Sequence, residues 1–399
     1  MSGNGTMTLL DRSVTVVFTD GARTQLGQGP PAPFVLHVRD PDALRRLLTT
    51  PTLLAIGEAF IDGTLDVEGD LLAAMAFAYR LDELTDAPCA SSAPTPQDAE
   101  AIAHHYDVPV EFYRLFLDPR LVYTCAYYRE PGVDLESAQR DKLDLVCQKL
   151  QLKPGEDLLD LGCGWGALSI DAAERFGVHS RGITLSVEQA MWAARAASAS
   201  RAASRIAIEH TDWAGLPDQP LADKIAAVGL VEHVGPARYL GFFERIRRWL
   251  RPGGLALVQS ITRSAEHAET TGLEFLRRHV FPGGGLATIS GLVQAMELAG
   301  LEILHVEGLR PHYAQTTRQW VERLQARGTE ARAVVGERRY RTWLGYLAAA
   351  VVGFEQGDVG VYQVVAGVRP TRSSRVIGGS PPPLSRRLRQ VERRRVEGR

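Results

Sequence analysis

From residue 157 onward, short apolar runs alternate with amphipathic stretches, and this alternation predicts most of the chain's architecture. Strands are predicted at 157–161, 180–184, 205–209, 224–229 and 255–261. Helical spacing of apolar positions falls between them, at 166–176, 187–203, 236–250 and 289–299. Late strands at 302–307 and 360–367 complete a set of seven. Strand–helix alternation of this kind predicts an α/β fold with a doubly wound, mostly parallel sheet. Two stretches, Arg263 to Gly285 and a helical block from Thr316 to Phe354, are too long for simple connections. They are expected to cover a pocket at the carboxyl ends of the strands, where open α/β sheets bind ligands.

The pattern before residue 157 differs. Val14 to Phe18 and Phe34 to Val38 read as strands, Leu44, Leu47 and Leu48 fall at helical spacing, and Leu71 to Leu84 reads as a helix. Gly57 to Gly63 reads as turn-rich. This gives a small α+β domain over 14–84, followed by an Ala/Ser/Pro-rich linker at 85–97. Helices are predicted at 98–118 and 135–151, the second with Leu143, Val146, Cys147 and Leu150 on one face. The large domain then spans 98–368, leaving a tail at 369–399.

Charge changes the picture only at that tail. The 399 residues carry a net charge of −2, but 371–399 holds nine Arg against two Glu, so the tail is +7 and the rest −9. With Pro381 to Pro383 and few large apolar residues, the tail is expected to be disordered. It is either a solvated end or a segment drawn to anionic lipid. Nucleic acid is disfavoured, because no aromatic residues interleave with the basic ones. Cys89, Cys125, Cys147 and Cys163 form no C-x-x-C pair and no metal-ligand cluster, so no metal is expected and a reducing cytoplasm is the default. The N-terminus has no signal-peptide pattern. The longest apolar run, Trp343 to Phe354, is shorter than the roughly 20 residues that span a bilayer.

Candidate chemistry starts at the end of the strand over 157–161. Asp160 is followed by Gly162, Gly164 and Gly166 at alternate positions, then by a helix. Glycine serves where the backbone takes φ > 0 or lies against a ligand. The third glycine comes one residue earlier than in the dinucleotide fingerprint, and no P-loop Lys-Ser/Thr follows, so the loop suits a ligand without phosphate. The strand over 180–184 ends without an acidic residue. Thr184 and Gln189 are the polar candidates there, with Ser186 and Gln189 equally readable as a capping box. Asp212 and Trp213 follow the third strand, where Asp can accept from an amino group and Trp supplies an apolar face or simple core packing. Glu232 and His233 follow the fourth strand, where a carboxylate can stabilise a cation or move a proton. Upstream, Tyr123, Tyr127 and Tyr128 surround Cys125, which alone reads as a small buried hydrophobe.

The glycine loop resembles motif I of the Rossmann-like methyltransferases that bind S-adenosylmethionine (SAM). Many segments in order resemble the cyclopropane fatty acid synthase family, including the mycolic acid cyclopropane synthases. They are Gly57 to Gly63, His105-Tyr106-Asp107, Tyr-Thr-Cys-Ala-Tyr at 123–127, Lys-Leu-Gln-Leu-Lys-Pro-Gly at 149–155 and Asp-Leu-Gly-Cys-Gly-Trp-Gly at 160–166. Gly-Ile-Thr-Leu-Ser-x-Glu-Gln at 182–189, Glu-His-Val-Gly at 232–235, Phe-Pro-Gly-Gly at 281–284, His312-Tyr313 with Thr317 and Trp320, and Tyr362 to Val365 follow.

The resemblance implies a Rossmann-like SAM-dependent methyltransferase fold with a lipid-associated N-terminal domain. SAM would be held by Tyr123, Asp160, Gly162, Gly164, Trp165, Gly166, Thr184, Leu185, Gln189, Asp212 and Trp213. It implies methylene transfer to a cis double bond of an unsaturated phospholipid, through a carbocation that loses a proton to bound bicarbonate. Cys125, Glu232 and Tyr313 would line the ion's site, and the faces of Tyr127 and Tyr128 would steady the cation. It also implies peripheral contact with the inner membrane face and a homodimer. The sequence departs from the family at Leu257-Val258-Gln259-Ser260-Ile261, where Gln259 takes the place of a His that helps hold bicarbonate. Gln donates hydrogen bonds but relays no proton. It also departs at Val108 to Val110, where the family commonly has Gly-Asn, and at Ala214, where the family's Arg is absent. The alternative product is an exomethylene branch, reduced by a partner reductase to a methyl branch. A small-molecule methyltransferase and a non-catalytic lipid- or SAM-binding protein are the more distant readings.

Overall fold

The computed structural model describes residues 12–40, 45, 49, 51–83, 108–266 and 285–368. The expected features at Leu44 to Leu48, the linker at 85–97, His105 to Asp107, Phe281 to Gly284 and the tail lie outside them.

The first sheet is built from β1 (Ser13–Phe18), β2 (Arg23–Leu26), β3 (Pro31–Val38) and β4 (Leu65–Gly69), in the order β2-β1-β3-β4. The β1–β3 pair is parallel, and the pairs at either side are antiparallel. Two helices, α1 (Leu53–Asp62) and α2 (Leu71–Glu83), accompany it. The segment read as turn-rich is a correction. Gly57 to Asp62 lies inside α1, because Thr52 caps its start through the Ala55 N–H and only Gly63, at φ 75°, ends it. Strands β2 and β4 were not anticipated; both are short and carry exposed polar residues.

The second sheet carries α3 (Val110–Tyr113), α4 (Leu135–Lys149), β5 (Asp157–Leu161), α5 (Ala167–Phe176), β6 (His179–Thr184), α6 (Val187–Ser198), β7 (Ile206–His210) and β8 (Ala222–Val228). Then follow α7 (Val231–Val234), α8 (Tyr239–Trp249), β9 (Leu250–Arg263), α9 (Ile289–Leu298), β10 (Leu301–Gly308), α10 (Arg310–Ala326), α11 (Gly328–Val335), α12 (Glu337–Gln356) and β11 (Val359–Val368). The strand order is β10-β11-β9-β8-β5-β6-β7, with the five strands from β9 to β7 parallel and β11 antiparallel to both its neighbours, β9 and β10. The helix expected over 98–118 is only the four residues of α3 among the described part. Pro109 opens it, and Phe112, Tyr113 and Phe116 are wholly buried around it, so aromatic burial rather than helical periodicity shapes the segment. The helix expected over 187–203 ends at Ser198.

The Trp343–Phe354 run lies on α12 and is core, packed between α10, α1 and α2. Arg341 ties the two sheets' units together. Its guanidinium donates to Phe60 O (2.9 Å), Asp66 (2.8 Å) and Glu337 (2.8 Å). No described helix is long and apolar enough to cross a membrane.

Candidate active site

Strand order reverses between β5 and β8, and the glycine loop leaves β5 at that point. Gly162, Gly164 and Gly166 all have positive φ (73°, 54° and 84°). The loop is pinned at both ends: Cys163 N donates to Ile183 O and Gly166 N to Cys163 O, each at 2.9 Å. A Cβ on Gly164 would meet no protein atom within 4 Å. It would project into a cavity of about 290 Å³ that Gly164 lines.

Tyr123, Asp160, Gly162, Trp165, Thr184, Leu185, Gln189, Asp212 and Trp213 line the same cavity. Gly166 does not. It stands one place behind, where a Cβ would come within 3.0 Å of Ala193 Cβ. The capping box is half formed: Ser186 accepts from Gln189 N at 3.3 Å, but the Gln189 side chain accepts from Thr184 Oγ1 at 2.8 Å instead of reaching back. Asp212 caps a 3-10 turn through Ala214 N, and Trp213 packs edge-on against Phe242 at 5.0 Å while still facing the cavity. Asp160 is buried and accepts from Ser169 Oγ at 2.8 Å; burial pushes its carboxyl up to about 6.

Sequence reasoning missed Lys142 and Thr124 on the cavity floor. Lys142 is 3% exposed and donates to Thr124 Oγ1 at 3.0 Å. Burial pulls its ammonium down to about 8, against the pull of Asp118, Cys125 and Asp160. No local signal set it apart, because α4 also carries Glu136, Arg140, Asp141, Asp144 and Lys149.

Tyr123 and Trp165 connect this cavity to an aromatic cluster. Tyr123 lies 5.2 Å from Trp320 and 5.8 Å from Trp343, and Trp165 lies 5.6 Å from Tyr113, centroid to centroid. Glu232, on α7 just past β8, belongs to that side. Its Oε1 accepts from Ile261 N at 2.7 Å, and its Oε2 is buried with no hydrogen-bond partner among the described residues. Burial pushes the carboxyl up to about 7, and the Ile261 N–H offsets this only in part. The charge of Glu232 is felt by Tyr239 and by Tyr346. Neighbouring His233 faces the cofactor cavity, and burial pulls it down to about 4, so it is neutral.

The other named residues fall in different places. Cys125 is wholly buried and its thiol points at the carbonyls of Ala126 (3.2 Å) and Leu309 (3.8 Å), with its pKa raised by burial. Tyr313 is stacked on Phe354 at 4.6 Å and meets Trp320 edge-on at 6.0 Å. Tyr127 and Tyr128 are spread over the His312 ring rather than over open space, at 4.6 and 6.3 Å. Gln259 is buried in the sheet, where its oxygen accepts from Gln363 Nε2 at 2.9 Å. None of Cys125, Glu232, Tyr313 and Gln259 lines the 290 Å³ cavity.

Comparison with known proteins decides the family. The model of the mycolic acid cyclopropane synthetase family matches residues 94–364. The chain belongs to that family. Residues 7–85 match a second model, a domain of unknown function. A probable fatty acid methyltransferase of Pseudomonas putida is 37% identical over 360 residues, covering 88% of this chain and 90% of that protein. Tuberculostearic acid methyltransferase UfaA1 of Mycobacterium tuberculosis is 31% identical, covering 89% of each. The solved cyclopropane synthase MmaA2 of Mycobacterium tuberculosis superposes with a TM-score of 0.65 at 33% identity, over 68% of this chain and 98% of that one. Cyclopropane synthase CmaA1, solved with SAH and CTAB, matches with the same TM-score at 34% identity. As a member of this family the chain is a SAM-dependent methyltransferase with the Rossmann-like fold.

Proposed function

We propose that this enzyme adds a one-carbon unit to a cis double bond of an unsaturated fatty acyl chain carried on phospholipid. One observation carries the reading: the buried, half-paired carboxylate of Glu232, held by Ile261, which packs against the aromatic cluster beside the cofactor cavity.

The cavity fits SAM. Gly164 leaves room where any side chain would intrude, Thr184, Gln189 and Asp212 offer polar atoms, and Tyr123, Trp165, Leu185 and Trp213 offer apolar walls. Bound there, SAM supplies an electrophilic methyl group. An alkene that gains a methyl carries a positive centre, and losing one proton leaves a neutral chain longer by one CH2. The chain's own residues serve that charge and that proton. The rings of Tyr123, Tyr346 and Trp165 shield the centre from water and present polarisable faces. Glu232 holds the proton, poised near neutrality by burial. Bicarbonate also fits this place, because the orphaned Oε2 needs a donor and the ion carries an O–H. Glu232, Tyr313, Gln259 and the Cys125 segment would hold it, and it would supply a proton-accepting oxygen.

Ring closure to a cyclopropane is the first reading. Gln259 favours a second, a methylene- or methyl-branched chain, since it relays no proton where the family carries His. The relatives named as fatty acid methyltransferases support it. A phospholipid substrate places the enzyme at the inner membrane face, with the basic tail as its contact. Removing 371–399 is then expected to weaken binding to anionic vesicles and spare neutral ones.

Product analysis tests both readings. The protein is incubated with SAM and vesicles of monounsaturated phospholipid, and the released acids are examined by mass spectrometry and proton NMR. Gain of CH2 with high-field ring protons supports the synthase, and vinylidene protons support the branching enzyme. No mass gain overturns both.

A further inference from the structure

A row of polar side chains crosses the sheet and ends on β9, the strand whose Ile261 N–H holds Glu232. Glu307, Gln363 and Gln259 are register partners on β10, β11 and β9. Lys149, in the last turn of α4, closes the row from one face. Lys149, Gln363 and Gln259 are 1%, 0% and 2% exposed. The Lys149 ammonium donates to Glu307 and, at 2.6 Å, to Gln363 Oε1. Gln363 Nε2 donates to Gln259 Oε1 at 2.9 Å.

Chemistry fixes the direction of this row. An ammonium only donates. Gln363 must therefore turn its oxygen to Lys149 and its NH2 to Gln259, and Gln259 must meet that NH2 with its own oxygen. The orientation of a buried amide is ordinarily ambiguous, and here the lysine removes the ambiguity. Gln259 shares a face of β9 with Ile261, which packs into the aromatic cluster and whose N–H holds Glu232.

We propose that Lys149 and Gln363 are positioning residues that lock Gln259 as a hydrogen-bond donor to an oxyanion held beside Glu232. The inference rests on the function proposed above. A histidine at this place can donate or accept, whereas a locked glutamine only donates. It steadies an oxygen and takes no proton, so the proton stays with Glu232 or the anion.

Gln363→Glu tests this with almost no change of shape. The installed carboxylate accepts from Lys149 and can only accept toward Gln259, which must then flip and present its oxygen to the site. Turnover is expected to fall about tenfold or more, with KM for SAM within about twofold. Adding Gln259→His to Gln363→Glu restores turnover, because an imidazolium donates to the new carboxylate and keeps a second donor. A packing role predicts the opposite, two buried substitutions doing worse than one. A second measurement is independent of turnover. The side-chain amide resonance of Gln259, assigned by its loss in Gln259→Ala, is expected to move with sodium bicarbonate and not with sodium chloride. In Gln363→Glu, or in Lys149→Met if that variant fails to fold, the movement is lost. Folded variants with unchanged turnover and an unchanged bicarbonate response overturn the inference. A wild type that yields no product but keeps the response overturns the proposed function and leaves the row standing.

Discussion

The two halves of the active site are built differently. The cofactor half has a local centre: Asp160 to Gly166 is one turn, whose shape follows from three glycines at positive φ between a strand and a helix, and Tyr123, Thr184, Gln189 and Asp212 are added around it. The proton half is assembled from distant segments, with Cys125, Glu232, Tyr313, Tyr346 and the β9 pair Gln259 and Ile261 arriving from five places in the chain. Backbone conformation makes the first half, and burial makes the second. Variants of the first should therefore change SAM binding, and variants of the second should change turnover.

Gly164→Val is the largest expected break. A left-handed φ of 54° strains any branched residue by roughly 1–2 kcal/mol, and the side chain would occupy the cavity. SAM affinity, read by calorimetry, should fall about 100-fold or more. Glu232→Gln should do the reverse. It should retain SAM affinity within about threefold while turnover drops by roughly 10²–10⁴. If SAM affinity falls as far as turnover, the two halves are not separable.

The pH dependence sharpens the contrast. Glu232 has a folded pKa of about 7, raised above its ordinary value of 4.5 by burial. At this group the folded state therefore binds more protons than the unfolded chain between these values, and the contribution of Glu232 to stability falls as pH rises through that window. The change is on the order of 3 kcal/mol. Turnover should rise over the same window, as the carboxylate becomes able to accept a proton. Thermal melts of Glu232→Gln from pH 4.5 to 7 should lose this falling component, leaving Asp160, with its pKa of about 6, which acts in the same sense, and His233, with its pKa of about 4, whose contribution rises with pH. An unchanged slope would remove Glu232 as its source. The smallest effect is Thr124→Val, which keeps the contact with Gly229 but takes the acceptor from Lys142. It should cost about 1–3 kcal/mol of stability, by denaturant titration, and weaken SAM binding by about fivefold or less.

The same division governs what could be read from the sequence. The seven strands of the large sheet were legible because each is an apolar run flanked by turn residues, and their observed bounds differ mainly at the ends. In β9 the difference is larger, because Arg251 to Gly254 continues the strand where glycine and proline read as a break. The α1 segment was misread for the same reason: two glycines suggested turns, whereas one is helical and the other is its cap. Lys142 went unnoticed because a lysine on an amphipathic helix reads as surface until the helix is packed.

The sequence by itself determined the strand order's raw material, the family and the glycine loop, since periodicity, motif and backbone freedom are properties of neighbouring residues. Only the tertiary structure decided that Glu232 keeps one buried oxygen without a partner among the described residues, that Lys142 is buried at the cofactor cavity, and that Gln259 is tied through Gln363 to Lys149. Desolvation and hydrogen-bond pairing depend on what lies across the fold, and no local pattern carries that information.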